Sequence, residues 1–300
     1  MIDLEQIERI KKLAIIALFL DNDLMDILVL KGGNALDIVY KIAQRASIDL
    51  DFSIENEFDS TEIDLIRFRI ERELRRIFNE NDYEVFDVTL IERPDVVGPD
   101  TPPFWGGYQL EFKVIRREGY SEKAANIQDL RRNAEIVGPD NRRKLRVDIS
   151  KHEYCALKNQ VELDGYTLYV YPPEMIVLEK LRAICQQTEK YCKTIGKSHC
   201  EGRARDFFDI HTVVEHFGID ITAPQNIDLV RRVFAAKDVD LALILTISDS
   251  REFHRPDFKA VENTVKPQVK IKDFDYYFDY VVQQCKLLSQ ALGIKQSPLT

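Results

Sequence analysis

Asp49-Leu50-Asp51 is the place where the chain gathers chemistry. From Ile48 to Ile54 apolar and polar residues alternate, which predicts a strand with two unlike faces. Residues i and i+2 of a strand point to one side, so Asp49 and Asp51 present two carboxylates together. Like charges that close repel unless something positive lies between them. Hard divalent cations, Mg²⁺ above all and Mn²⁺ as an alternative, are held by one or two carboxylates plus substrate phosphates. A strand predicted over Lys144–Ser150 turns Leu145, Val147 and Ile149 inward and sets Asp148 on the opposite face. Three carboxylates on one sheet face suit a pair of metal ions about 4 Å apart, the arrangement of in-line displacement at phosphorus.

Gly32-Gly33 follows a short apolar run and precedes a predicted helix. A strand-to-helix turn without side chains lets phosphate oxygens approach backbone N–H groups and the positive helix end. Further along, Lys180 lies on an amphipathic helix and reaches a triphosphate as a point charge. Asp206 and Asp209, three residues apart, share a helix face, from which one of them orients Lys180 or Arg182. The same residues equally suit a salt-bridge network tying two helices together.

The elements that position these groups are readable from periodicity. Helices are expected from Leu4 and over Asn34–Ala43, Thr61–Asn79 and Ser121–Asn133; strands over Asp26–Leu30, Tyr83–Ile91, Gly107–Arg116 and Glu162–Tyr171. The stretch Pro94–Gly107 reads as a loop, in which Phe104, Trp105 and Tyr108 could stack on a base. From Pro172 the chain turns helical: Pro173–Gln187, Ala204–Phe217, Ile227–Phe234, Asp240–Ile247 and Phe274–Leu292, with Ser250–Lys272 polar and broken. We expect an α+β fold, with a small mixed-sheet catalytic domain over residues 1–170 and a helical domain over 171–300 closing the cleft. Three hundred residues suit two domains, since single cores stop growing at about 250–300.

A net charge of −9 argues against a chain coated in basic surface. Arginines nevertheless gather at Arg116-Arg117, Arg131-Arg132 and Arg142–Arg146, the last beside Asp148, which predicts a local groove for nucleic-acid phosphates. The longest apolar run, Leu13–Leu20, is too short to span a membrane, and acidic residues spoil a signal peptide, so a cytoplasmic chain is expected. Five cysteines, with spacings unlike zinc sites, read as reduced thiols. Gly196-Lys197-Ser198 lacks the first glycine and the preceding strand of a phosphate-binding loop.

The run Leu30-Lys31-Gly32-Gly33-Asn34-Ala35-Leu36, then Arg45-x-Ser47-x-Asp49-Leu50-Asp51-Phe52, resembles the nucleotidyltransferase toxins of the AbiEii/AbiGii type, within the DNA polymerase β-like nucleotidyltransferase superfamily. Glu179-Lys180-Leu181-Arg182-Ala183 and Arg205-Asp206-Phe207-Phe208-Asp209-Ile210 resemble a second pair of that family's motifs. Asn34 stands where the family usually has Thr or Ser. The resemblance implies transfer of a nucleoside monophosphate from an NTP to an acceptor hydroxyl, by the toxin of a bacterial toxin–antitoxin and phage-defence pair. It makes tRNA or another RNA the candidate acceptor and implies a cognate antitoxin protein. It makes Asp49, Asp51, Asp148, Lys180 and Asp206 catalytic, the first three as metal ligands, and gives Gly32, Gly33, Asn34, Ser47 and Lys180 to the nucleotide. The rival functions are a small-molecule nucleotidyltransferase of the antibiotic-modifying kind, and an inactive partner-binding scaffold.

Overall fold

The computed structural model describes residues 4–294 apart from positions 43, 46, 48, 95–101, 139–140, 195–199 and 267. The chain opens with α1 (Leu4–Leu18) and a short α2 (Asn22–Ile27). The expectation of a strand from Asp26 is corrected: the Asp21 side chain accepts from Leu24 N at 3.2 Å and caps a helix there. The strand β1 is therefore only Val29–Lys31. Gly32–Asn34 begins a helix, α3, that continues as a π-helical turn over Ala35–Val39 and ends short of the predicted boundary. Then come β2 (Leu50–Ser53), α4 (Ile63–Glu80), β3 (Tyr83–Arg93) and β4 (Gly107–Arg116). The single helix expected near Ser121–Asn133 is two, α5 (Arg117–Lys123) and α6 (Ile127–Asn133), the second capped by Asn126. After β5 (Leu145–Ser150) the hairpin β6 (Asn159–Leu163) and β7 (Tyr166–Val170) completes the strands.

The seven strands form one mixed sheet in the order β3-β4-β5-β2-β1-β7-β6. Its register explains the site. Lys31 pairs with Asp51, Asp51 with Asp148, and Asp148 with Gln109, which makes a polar row across four strands. The neighbouring row, Leu30–Phe52–Ile149–Tyr108, is buried and points to the other face. Phe19, directly after α1, packs on Phe52 (ring centroids 5.9 Å), and Phe78 of α4 on Phe112 (5.8 Å). Helices α1 and α4 thus seal the apolar face and leave the polar face to the rest of the molecule.

That rest is helical, as expected: α7 (Pro173–Cys185), α8 (Glu189–Thr194), α9 (Ala204–Phe217), α10 (Pro224–Ala235), a 3₁₀ helix over Leu241–Ser250, α11 (Arg251–His254), α12 (Phe258–Thr264) and α13 (Phe274–Leu292). The stretch after Ser250, read as broken, carries two of these helices. The hydrophobic core runs without a break from Phe52 and Val147 in the sheet, through Ile176 and Leu181 of α7, to Phe208 and Phe278 of α9 and α13. Among the described residues no helix is long and apolar enough to cross a membrane.

Candidate active site

The polar row of the sheet looks into a cavity of about 690 Å³. Asp51 and Asp148 sit side by side on parallel strands, and Gln109 Nε2 donates to Asp148 Oδ1 at 3.0 Å. Burial pushes the Asp51 carboxyl up to about 7; Lys31 opposes the rise, while Asp148 and Glu179 add to it. Burial also raises Asp148, with the Asp49 charge adding to the effect. Asp49, just before β2, opens to the same cavity, and its Oδ1 meets Arg142 Nη1 at 2.8 Å. The three carboxylates share one space, yet among the described residues no three potential ligands already converge as a metal-holding set.

The glycine pair is demanded by these neighbours. Gly32 has φ +70°, and a Cβ there would lie 2.7 Å from Asp51 Oδ2. A Cβ on Gly33 would lie 2.8 Å from Ser47 Oγ. Asn34 is wholly buried beneath the turn, outside the cavity lining; its Nδ2 donates to Ser47 Oγ at 3.2 Å and to the Asp49 carbonyl at 2.5 Å. Lys11 of α1 donates to the Ser47 carbonyl from the other side. The loop carrying Ser47 and Asp49 is thus strutted from two elements.

Opposite the sheet, α7 and α9 build a chain of alternating charges. Lys180 Nζ lies 2.7 Å from Asp206 Oδ1 and 2.8 Å from Asp209 Oδ2. Arg203 holds the other oxygen of Asp206 at 3.0 Å, and Arg45 grips Asp209 with two bonds, 2.9 and 2.5 Å. Burial alone would lower the Lys180 ammonium, but Asp206 and Asp209 outweigh it and hold the pKa above its ordinary value. Against their burial, Lys180 holds Asp206 low, and Arg45 with Lys180 does the same for Asp209.

A second buried network lies beside the first. Lys31 bonds Glu179 at 2.6 Å, and Arg182 bonds Glu153 with 2.7 and 3.2 Å contacts. Lys237 donates to the carbonyls of Phe104 (2.9 Å) and Lys151 (2.5 Å). Burial lowers Lys237 to about 8, with Glu153 pulling the other way.

The structure therefore brings Gly32, Gly33, Ser47, Asp49, Asp51, Asp148, Lys180 and Asp206 to one cavity and leaves Asn34 behind it. The ionic partnerships of Lys31, Arg45, Glu153 and Lys237 were missed. Their signal was a charged side chain in an apolar setting, as Lys31 after Val29-Leu30, but nothing local named the partner. Trp105 and Tyr108 both line the cavity, but Tyr108 is buried, its ring stacked on Phe58 at 4.5 Å and its hydroxyl accepting from the Phe58 N–H. A groove of about 390 Å³ adjoins the site on the same face, lined by Lys113, Arg131, Arg142, Arg143, Lys144 and Arg146, and partly neutralised by Glu111 and Asp87. One expectation falls: Cys192 and Cys200 form a disulfide, because α8 and the chain after it bring their Cα atoms to 6.4 Å. Gly196-Lys197-Ser198 lies outside the described residues.

Residues 15–280 match the family described as the nucleotidyl transferase AbiEii toxin of a type IV toxin–antitoxin system. A solved H. pylori protein assigned as a nucleotidyltransferase superposes with a TM-score of 0.50 at 17% identity, covering 96% of each chain. JHP933 from Helicobacter pylori gives a TM-score of 0.48 at 17% identity, covering 98% of this chain and 95% of that one. At such identity, the first likeness speaks to the fold alone. No curated protein matches the chain.

Proposed function

Because the chain belongs to the AbiEii nucleotidyltransferase toxin family, we propose that it transfers a nucleoside monophosphate from an NTP to a hydroxyl of RNA, with tRNA as the candidate acceptor, as the toxin of a toxin–antitoxin and phage-defence pair in the cytoplasm. The observation that carries this reading is the row Lys31–Asp51–Asp148–Gln109, facing Lys180 across the cavity. In it the sheet half, residues 1–170, supplies the carboxylates, and the helical half, 171–300, closes the nucleotide cleft.

The donor set fits Mg²⁺, or Mn²⁺ in its place: carboxylate oxygens only, with the Asp51 and Asp148 carboxyls raised in pKa by burial. Asp49, Asp51 and Asp148 would hold the divalent cation, which supplies charge neutralisation at the phosphates. The Gly32-Gly33 turn binds phosphate oxygens through backbone N–H groups, helped by Ser47. Lys180 faces the triphosphate, kept charged and fixed by Asp206. Asn34 supports the nucleotide from beneath by fixing the Ser47–Asp49 loop. Asp148 accepts the proton of the acceptor hydroxyl as its oxygen bonds to the α-phosphorus and the α–β phosphoanhydride bond breaks, releasing pyrophosphate. The basic groove beside Asp148 takes the acceptor strand.

The test is incubation with each α-labelled NTP and total RNA, with Mg²⁺ or with EDTA. Label on RNA from at least one NTP, lost in EDTA, is expected. Lys144→Glu with Arg146→Glu should weaken RNA binding and flatten its salt dependence, by about 0.7 in log–log slope per lost single-strand contact. Label in a low-mass product, with no salt dependence, would return a small-molecule enzyme; no transfer to any acceptor would return the scaffold.

A further inference from the structure

Arg142 stands where the carboxylate cavity and the basic groove meet. It lines the groove with Lys144 and Arg146, and its Nη1 reaches across to Asp49 Oδ1 at 2.8 Å. The contact is a poor one for a guanidinium. Arginine and carboxylate pair best through two parallel bonds, as Arg45 and Asp209 do here. In Arg142, Nε and Nη2 are both buried and have no hydrogen-bond partner among the described residues. Buried donors without acceptors are costly, so this guanidinium is held in place incompletely satisfied. Gly138 leaves the space it occupies: a Cβ there would lie 2.8 Å from Arg142 Nε.

A guanidinium on Asp49 Oδ1 competes with a metal ion for that oxygen's lone pairs. The positive charge beside Asp49 also repels a divalent cation. We propose that Arg142 gates cation loading: its guanidinium stands against Asp49 Oδ1 and opposes a cation there, and it swings toward the groove, where its free donors meet phosphate oxygens, as Asp49 takes the cation up. The proposal rests on the reading of Asp49, Asp51 and Asp148 as divalent-cation ligands. It accounts for three carboxylates that share a cavity without forming a ready ligand set. It also couples the two sites, because a phosphate that draws Arg142 away favours the cation, and a cation on Asp49 frees Arg142 for phosphate to the same degree.

The test is Mn²⁺ binding to the full chain without nucleotide, read from the electron paramagnetic resonance signal of free Mn²⁺. Wild type is compared with Arg142→Gln, Arg142→Ala, Asp49→Asn and the double variant Asp49→Asn/Arg142→Gln, each checked for a wild-type unfolding midpoint. Both Arg142 variants should bind Mn²⁺ about 10-fold more tightly at low ionic strength, since a partly exposed ion pair and a unit-charge repulsion are removed together. Asp49→Asn should bind more weakly, and Arg142→Gln should tighten binding clearly less in that background, where only the charge repulsion remains to be removed. If both Arg142 variants bind no tighter than wild type while Asp49→Asn weakens binding, the gate is refuted and the cation site stands. If Asp49→Asn leaves Mn²⁺ binding unchanged, Asp49 is no ligand, and the reading and the gate fall together.

Discussion

On the sheet wall of the cleft, Asp51 and Asp148 face one another across β2 and β5, and Lys31, the cation in their row, is drawn to Glu179 instead. Opposite, each of Glu179, Asp206 and Asp209 on the helical wall, and Glu153 in the segment after β5 that pairs with that wall, has a cation within 3 Å. The pKa directions follow that difference. Asp51 and Asp148 are raised; Glu153, Asp206 and Asp209 are held low by their partners. Removing a charge from water without a partner is expensive. A wall that keeps carboxylates in that condition is built for a positive partner from outside, whereas the paired wall holds its own shape.

The comparison breaks most visibly through activity. Asp51→Ala should lower nucleotidyl transfer by about three orders of magnitude, the equivalent of several kcal/mol of lost charge stabilisation, with the unfolding midpoint held or raised. An active Asp51→Ala protein in a transfer assay would put the chemistry elsewhere.

The paired wall should fail in the opposite way. Glu153→Ala leaves Arg182 buried without its carboxylate and should lose about 3–5 kcal/mol of stability in urea unfolding. A loss below about 1 kcal/mol would mean that this network is not what holds α7 against the sheet. Lys180→Ala should also be destabilised, because it strips Asp206 and Asp209 of a shared cation.

A smaller effect distinguishes the walls by pH. Asp51 is raised from 3.8 to about 7, so the folded state holds its proton more tightly than the unfolded chain does. Without divalent cations its contribution is favourable at low pH and is lost as pH rises from about 4 to about 7. Asp51→Asn lacks that titration, so its stability advantage over wild type should grow across that window by about 3 kcal/mol. Parallel stability curves for the two proteins would show that Asp51 titrates as an ordinary carboxylate.

How much of this was legible follows the range of each interaction. The sheet-wall carboxylates were readable because alternation in Ile48–Ile54 and Lys144–Ser150 is a local rule, and register then joined Asp51 to Asp148. The strand at Asp26 was misread because four apolar residues fit helix end and strand alike, and the Asp21 cap decided between them. The pairings Lys31–Glu179 and Arg45–Asp209 span 148 and 164 residues, so no spacing encodes them. Helix spacing offered Asp206 or Asp209 as a partner of Lys180 or Arg182, the family resemblance favoured Lys180 with Asp206, and only the folded geometry puts both carboxylates on Lys180.

The claim that Asp51 and Asp148 lack a cation of their own is tested most directly by the unfolding midpoint of wild type and Asp51→Asn as Mg²⁺ is added. A ligand that binds only the folded state stabilises it in proportion to the logarithm of its concentration. Wild type should start lower and rise with Mg²⁺, while Asp51→Asn should start higher and stay level. A wild-type midpoint indifferent to Mg²⁺ and Mn²⁺, or an Asp51→Asn protein that rises with it equally, would contradict the account.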